Sequence, residues 1–257
     1  MYDPSADGMA RRPGRSTGFW IILGVGTGES LNEVPATGMA WPGFKEREGR
    51  LREAVELIRQ LLSEERVTHH GEYFRTERAT IYDRPDRPVP IYLSAAGPKA
   101  AFTAGELGDG FICTSGKAHA LYAETLLPNV ERGRAAAGRA ADAYEMMIEV
   151  KLSFDSDRQR AFEDTRHWAA LALSPEEKTG VEDPAEMERL ADALPLERAA
   201  SRWIVTDDPA EVVDGVRPYV ELGFRHLVFH APGPDQTRFL NLFAERVSPA
   251  LRAAFAA

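Results

Sequence analysis

Ile21-Ile-Leu-Gly-Val-Gly-Thr-Gly-Glu-Ser-Leu-Asn-Glu33 is a short apolar run that breaks into glycine at positions 24, 26 and 28 and then presents Glu29, Asn32 and Glu33. A strand ending this way delivers polar groups to one end of a sheet. Glycine there lets backbone N–H groups approach a ligand, because no Cβ intervenes and positive φ is tolerated. A carboxylate just beyond, Glu29, is a candidate proton-transfer group.

Two better-known loops are excluded. A phosphate-binding P-loop needs Lys-Ser/Thr after its last glycine, and Glu29-Ser30 stands there. The dinucleotide fingerprint needs a third glycine where Glu29 sits and a helix beginning at once, whereas Pro35, Gly38 and Pro42 are expected to delay the helix. The run therefore reads as a strand-end active-site loop. A tight turn with a solvated glutamate is the alternative that this run alone leaves open.

Bulk properties narrow the rest. The 257 residues, 44% of them hydrophobic, suffice for one large core or two small ones. With 31 basic and 40 acidic residues the formal charge is -9, which argues against nucleic acid or an anionic membrane as the partner. An anionic substrate then needs a local basic pocket. The single cysteine, Cys113, permits no internal disulfide and lies in an apolar strand pattern, which reads as a buried thiol. No apolar run reaches the about 20 residues of a membrane span, and Arg11-Arg12 precedes too short an apolar stretch for a twin-arginine signal. A cytoplasmic protein is expected. No His/Cys/Asp spacing suggests a metal.

Along the chain, residues 1–18 are rich in Pro, Gly and Arg without periodicity and read as a disordered or foreign leader. Leu51, Val55, Ile58, Leu61 and Leu62 recur at helical spacing between Phe44 and Glu64. A hairpin or irregular insert is expected over 67–87, with His69 and His70 solvated. Strands are expected over 89–95, 109–114, 145–154, about 202–205 and 226–231, each followed by a helical pattern: 99–107, 118–137, 157–173, 210–222 and 235–255. Residues 174–197 are acidic and read as an insertion with a short helix over 184–194. The alternation implies a parallel β/α architecture of about five units, its near-continuous apolar strands covered on both faces. A closed barrel of this class has eight units.

In such folds chemistry gathers beyond the carboxyl ends of strands, which singles out residues 27–32, 95–98, 114–117 and 230–233. Thr114-Ser115-Gly116-Lys117 offers a hydroxyl, an ammonium and, at the start of the following helix, free N–H groups: a seat for phosphate. Lys178 is a cation inside the acidic segment, and Arg202 abuts a strand start. Taken singly, each of these cations is more often a surface ion-pair partner; converging on one spot they would form a phosphate pocket, with arginine gripping bidentately.

The runs Leu-Gly-Val-Gly-Thr-Gly-Glu-Ser-Leu-Asn-Glu (23–33), Gly-Asp-Gly-Phe-Ile-Cys-Thr-Ser-Gly-Lys (108–117), Arg-Trp-Ile-Val (202–205) and Gly-Phe-Arg-His-Leu-Val-Phe-His-Ala-Pro-Gly (223–233) resemble the F420-dependent glucose-6-phosphate dehydrogenases of the luciferase-like superfamily. The resemblance implies an α/β fold of (β/α)8 TIM-barrel type, with residues 19–257 as a partial barrel. It further implies that Thr27, Gly28 and Asn32 contact coenzyme F420, that Ala96 and Gly97 lie along its phosphate-bearing tail, and that Lys99 makes a further contact through its backbone. Glu29 would transfer a proton beside the deazaflavin ring. Thr114, Lys117, Lys178 and Arg202 would hold the phosphate of glucose 6-phosphate, and full-length members are expected to be homodimers. The family opens with about three further strand-helix units that supply an Asp-His pair and a tryptophan, and nothing before Phe19 matches them. His230 reads as a satisfied polar residue at the pocket rim. An active dehydrogenase, a truncated homologue that only binds sugar phosphate or a partner, and a sibling F420- or flavin-dependent oxidoreductase therefore all stay open, the cation set arguing against the last.

Overall fold

The computed structural model describes residues 21–139 and 144–255. The leader expected over 1–18 lies outside the described residues. The main sheet has six strands, all paired in parallel: β1 (Leu23–Val25), β4 (Ile91–Ser94), β5 (Gly110–Thr114), β6 (Glu145–Phe154) and β7 (Ile204–Thr206) in that order, with β8 (His226–His230) also paired to β6. These six strands are the opening run and the five expected after it. Between β1 and β4, β2 (Val67–His70) and β3 (Arg75–Ala79) form the anticipated antiparallel hairpin.

β6 organises the sheet because it is ten residues long and, from Ile148 on, alternates apolar with polar residues. Ile148, Val150 and Leu152 are fully buried with Ile91, Leu93 and Phe111 of the neighbouring strands. They pack on Leu51 and Val55 of α2 (Phe44–Ser63), Ala101 and Ala104 of α3 (Pro98–Leu107), Val130 of α4 (Leu127–Ala136) and Val212 and Val216 of α9 (Pro209–Glu221). The intervening Glu149, Lys151 and Ser153 must point to the other face. The second face of β6 carries polar groups, yet Lys151 and Ser153 are buried there, Ser153 donating to the Ala161 carbonyl.

α3 and α4 touch backbone to backbone. A Cβ at Gly105 would lie 2.0 Å from the Val130 carbonyl oxygen, and one at Gly133 would lie 2.0 Å from that of Phe102. These glycines are needed for closeness, not for a special φ. Preceding α4, helical structure starts at His119, within a residue of the expected 118, and winds as a π-helix over Leu121–Leu126.

Helix starts follow one local rule three times. Ser174-Pro175, Asp183-Pro184 and Asp208-Pro209 each pair a capping oxygen with a proline whose missing N–H costs nothing in the first turn. They begin α6 (Pro175–Lys178), α7 (Pro184–Asp192) and α9, so the acidic segment carries more helix than the one expected, including α8 (Leu196–Ala200). α5 (Arg158–Asp164) is capped by Asp157 and runs on as a 3-10 turn over Thr165–Ala172, kinked at Trp168. The last helix comprises α10 (Gln236–Leu242), a π turn and α11 (Ser248–Phe255).

Two local expectations fail. α1 (Ser30–Thr37) begins directly after the glycine loop, with Pro35 inside it. The Glu33 carboxylate reaches back to accept the Glu29 N–H at 2.9 Å, which starts the helix, and Gly38 at φ 66° ends it. Exclusion of the dinucleotide fingerprint then rests on Glu29 alone. His69 is not solvated: its side chain is 13% exposed and faces Glu53 at 3.2 Å. Glu53 also accepts the N–H groups of Glu72, Tyr73 and Phe74, tying the hairpin turn to α2.

Candidate active site

Parallel register explains how distant residues come to one level of the sheet. Thr114 pairs with Glu149, and Ile204 pairs with Leu152. β7 therefore starts only where β5 has ended. Arg202, two residues before β7, lies beside the loop after β5 instead of at the opposite end of the sheet. A Cβ at Gly116 would fall 2.4 Å from the Arg202 carbonyl oxygen and 3.3 Å from its Nε, so this position at φ 75° must be glycine for both steric and backbone reasons.

The loop itself is held by two tyrosines. The Tyr122 hydroxyl donates to the Thr114 carbonyl at 2.8 Å and accepts the Lys117 N–H at 3.2 Å, and the Tyr219 hydroxyl accepts the Gly116 N–H at 3.2 Å. The rings meet edge to face at 5.4 Å, and Tyr122 is 1% exposed, so burial pushes its phenol pKa up. The Ser115 N–H goes to the Glu149 carbonyl. This corrects the seat read from sequence: the backbone N–H groups of 115–117 are already bonded, and an anion here must be held by side chains.

Those side chains converge. Lys117 is lowered below an ordinary lysine first by partial burial of its amine and then by the charges of Arg202, Lys178 and Lys151. Lys178, at the end of α6, is lowered by burial and by Arg202, against a partial offset from Glu29. Arg202 donates from Nη1 to the Leu171 carbonyl at 2.8 Å, while its buried Nε has no hydrogen-bond partner among the described residues. Lys117, Lys178 and Arg202, distant in sequence, therefore share one electrostatic neighbourhood with Glu29. Like charges held together in a partly desolvated place cost folding free energy, and an anion bound among them relieves it. Thr114 is exposed at the same loop.

The other predicted residues lie at adjoining strand ends. β1 and β4 are neighbours, with Val25 opposite Leu93, so Thr27 and Gly28 stand beside Ala96 and Gly97. Gly28 sits at φ 84° with the Glu33 carboxylate against it, and a Cβ at Gly26 would lie 2.3 Å from Ser94 Oγ. Asn32 falls in the first turn of α1. Gly97 opens α3, a ten-residue helix with no side-chain cap, and a Cβ there would meet nothing within 4 Å. An uncapped helix start facing open space fits an anionic cofactor tail. Lys99 is exposed, its amine 5.9 Å from the centre of the Phe44 ring. On the outer, helix side of β1 an open cleft of about 380 Å³ touches Thr27 and Gly28 and is floored by Val25 and Leu51. Cys113 is buried as expected, its thiol pushed up to about 12 by burial.

Sequence reading missed a second polar group on the inner sheet face. Lys151, 3% exposed, donates to Glu149 Oε1 at 2.8 Å, and His230 Nδ1 meets the same oxygen at 3.0 Å. His230 is held edge-on by Trp168 at 4.5 Å and Trp203 at 5.1 Å between ring centroids. His230 is thus satisfied, as expected. The signal lay in β6, where charged residues alternate with Ile148, Val150 and Leu152 in mid-strand.

The sequence profile of the luciferase-like monooxygenase family matches residues 21–226. A protein of Nakamurella multipartita named F420-dependent glucose-6-phosphate dehydrogenase is 62% identical over 241 residues, 94% of this chain and 69% of that protein. One of Intrasporangium calvum with the same name is 57% identical over 245 residues, 95% of this chain and 72% of its own length.

The chain belongs to the F420-dependent glucose-6-phosphate dehydrogenase family of luciferase-like proteins.

Among solved structures, an F420-dependent secondary alcohol dehydrogenase in complex with an F420-acetone adduct superposes with TM-score 0.80 at 32% identity, covering 93% of this chain and 71% of that one. The luciferase-like, TIM-barrel-type α/β fold expected for this dehydrogenase family is thereby established, and the six parallel strands are its sheet.

Proposed function

We propose that this protein oxidises glucose 6-phosphate with coenzyme F420, releasing 6-phosphogluconolactone and reduced F420. The observation that carries the reading is that Arg202 packs against the Gly116 loop beside Lys117, that Lys117 feels the charges of Arg202 and Lys178, and that Lys178 feels Arg202 and Glu29. A protein of charge -9 has no general reason to concentrate cations there, and a phosphate dianion is the ligand that such a cluster fits. The similarity to dehydrogenases named for this substrate supports the same choice.

In this reading Lys117, Lys178, Arg202 and the Thr114 hydroxyl bind the phosphate, which fixes the distance from there to the anomeric carbon. Thr27, Gly28, Asn32, Ala96, Gly97 and Lys99 hold coenzyme F420, whose deazaflavin ring supplies the hydride acceptor. The uncapped start of α3 fits the anionic tail. Glu29 transfers a proton at the reaction centre: the anomeric carbon loses a hydride and its hydroxyl a proton, and the C1–O bond becomes the lactone carbonyl. Residues 19–257 act as one catalytic unit, with 174–197 an acidic segment that delivers Lys178. We also propose a cytoplasmic homodimer that binds neither nucleic acid nor membrane. The net charge argues against nucleic acid and an anionic membrane surface, and no helix of the described residues is long and apolar enough to cross a membrane.

The test mixes the protein with oxidised F420 and glucose 6-phosphate, glucose or a small secondary alcohol, following the deazaflavin absorbance. Bleaching with glucose 6-phosphate only is expected. Bleaching with the alcohol but not the sugar phosphate overturns the substrate, and no bleaching with any overturns the activity.

A further inference from the structure

We propose that Glu149, clamped by Lys151 and His230 beside Thr114, is a positioning residue that reads the hydroxyl groups of the bound sugar phosphate. The proposal rests on the reading of the Lys117, Lys178 and Arg202 cluster as a sugar-phosphate site.

Placement comes first. Glu149 pairs across β5 with Thr114, and its carbonyl accepts the Ser115 N–H, so it borders the loop that bears Lys117. Its side chain, 33% exposed, lies on the polar face of β6. Lys151, the next residue on that face, acts electrostatically on Lys117. Glu149 is therefore a carboxylate of the sheet bordering the loop at the end of β5.

Its charge state and orientation are fixed. Burial raises the Glu149 pKa, but the hydrogen bond and charge of Lys151 and the bond to His230 outweigh it, so the group stays ionised below the ordinary glutamate range. Both donors reach Oε1. Oε2 takes no hydrogen bond among the described residues and keeps its lone pairs for a ligand. Trp168 and Trp203, packed edge-on, hold the imidazole that holds the carboxylate.

A carboxylate repels phosphate, so beyond its pairing with buried Lys151 through Oε1, the Oε2 of Glu149 suits another part of the ligand. An ionised carboxylate only accepts hydrogen bonds. A sugar offers hydroxyl donors, and bonds to charged acceptors are the stronger kind. Glu149 thus favours a phosphorylated polyol and disfavours bare phosphate. A merely structural partner of Lys151 would not separate the two ligands.

The experiment titrates wild type, Glu149→Gln and Glu149→Asp with inorganic phosphate and with glucose 6-phosphate by calorimetry, cofactor absent, with thermal melting as a check on folding. Glu149→Gln is expected to bind glucose 6-phosphate about tenfold or more weakly while binding phosphate as well as or better than wild type. Glu149→Asp keeps the charge on Lys151, retracts the oxygen, and is expected to weaken glucose 6-phosphate without tightening phosphate. Equal losses for both ligands, or an unchanged preference in both variants, overturn the proposal and leave the phosphate seat standing. Wild type that binds neither ligand overturns the seat and the proposal with it.

Discussion

Replacing Lys178 by methionine separates a functional cation from a structural one. Its amine makes no hydrogen bond among the described residues; it is lowered below an ordinary lysine by burial and by Arg202, and only partly supported by Glu29. Removing the charge relieves a desolvated repulsion, so the ligand-free variant should melt no lower than wild type. Binding should suffer. A charge-assisted contact to phosphate is worth about 1.5–3 kcal/mol, which is about 10- to 150-fold in affinity. If the loss is uniform between ground and transition state, KM for glucose 6-phosphate rises by that factor while kcat is retained. Phosphate at 100 times its wild-type Kd should stabilise wild type by about 2.7 kcal/mol and the variant by far less. Thermal melts with and without phosphate, together with steady-state kinetics, measure both quantities. A variant that melts well below wild type yet keeps its phosphate stabilisation would show Lys178 to be a structural partner and refute the reasoning.

Glu29→Gln should lower kcat about 100-fold or more, with glucose 6-phosphate affinity changed far less; unchanged turnover would remove Glu29 from proton transfer. Because Lys117 and Lys178 are held below the ordinary lysine value of 10.5, substrate affinity should fall as pH rises through their lowered pKa values, earlier than for free lysine. Their contribution to stability has the opposite sign: the unfolded chain keeps these protons longer, so the penalty shrinks as pH rises towards 10.5. An affinity flat up to that pH would contradict the cluster. Gly133→Ala forces a methyl against the Phe102 carbonyl at 2.0 Å and should cost about 1–3 kcal/mol in denaturant unfolding; a neutral result would mean that α3 and α4 separate freely. Arg238→Met strands Asp155, whose carboxyl is held at about 2 chiefly by the Arg238 hydrogen bonds and is 5% exposed. The cost should be about 3 kcal/mol near neutral pH, and it should vanish as pH falls from 3.8 towards 2; a pH-independent cost would count against the pair.

Strands such as β4 and β5 were legible as short apolar runs, and β6, read from its alternation, was placed at its true limits, Glu145 to Phe154. Pairing was not: nothing local says that β8 joins β6, or that β7 starts level with the end of β5. That offset carries Arg202 to the cluster, which its position beside a strand start could not show by itself. α1 escaped because proline was read as a stop, whereas Glu33 reaching back four residues starts the helix first. Backbone groups of the 115–117 loop looked free because their acceptors, the Glu149 carbonyl and the hydroxyls of Tyr122 and Tyr219, are reached only through the fold. Glu149 and Lys151 could have been found, since charges at alternate positions inside an apolar strand have to face something polar.

The central claim is that Lys117, Lys178 and Arg202 act as one phosphate seat, and a crystal structure of the protein with glucose 6-phosphate tests it most directly. The account predicts phosphate oxygens within about 3 Å of nitrogen atoms of all three side chains, with the sugar ring extending towards Glu29. Phosphate held elsewhere, or by only one of the three, would contradict it.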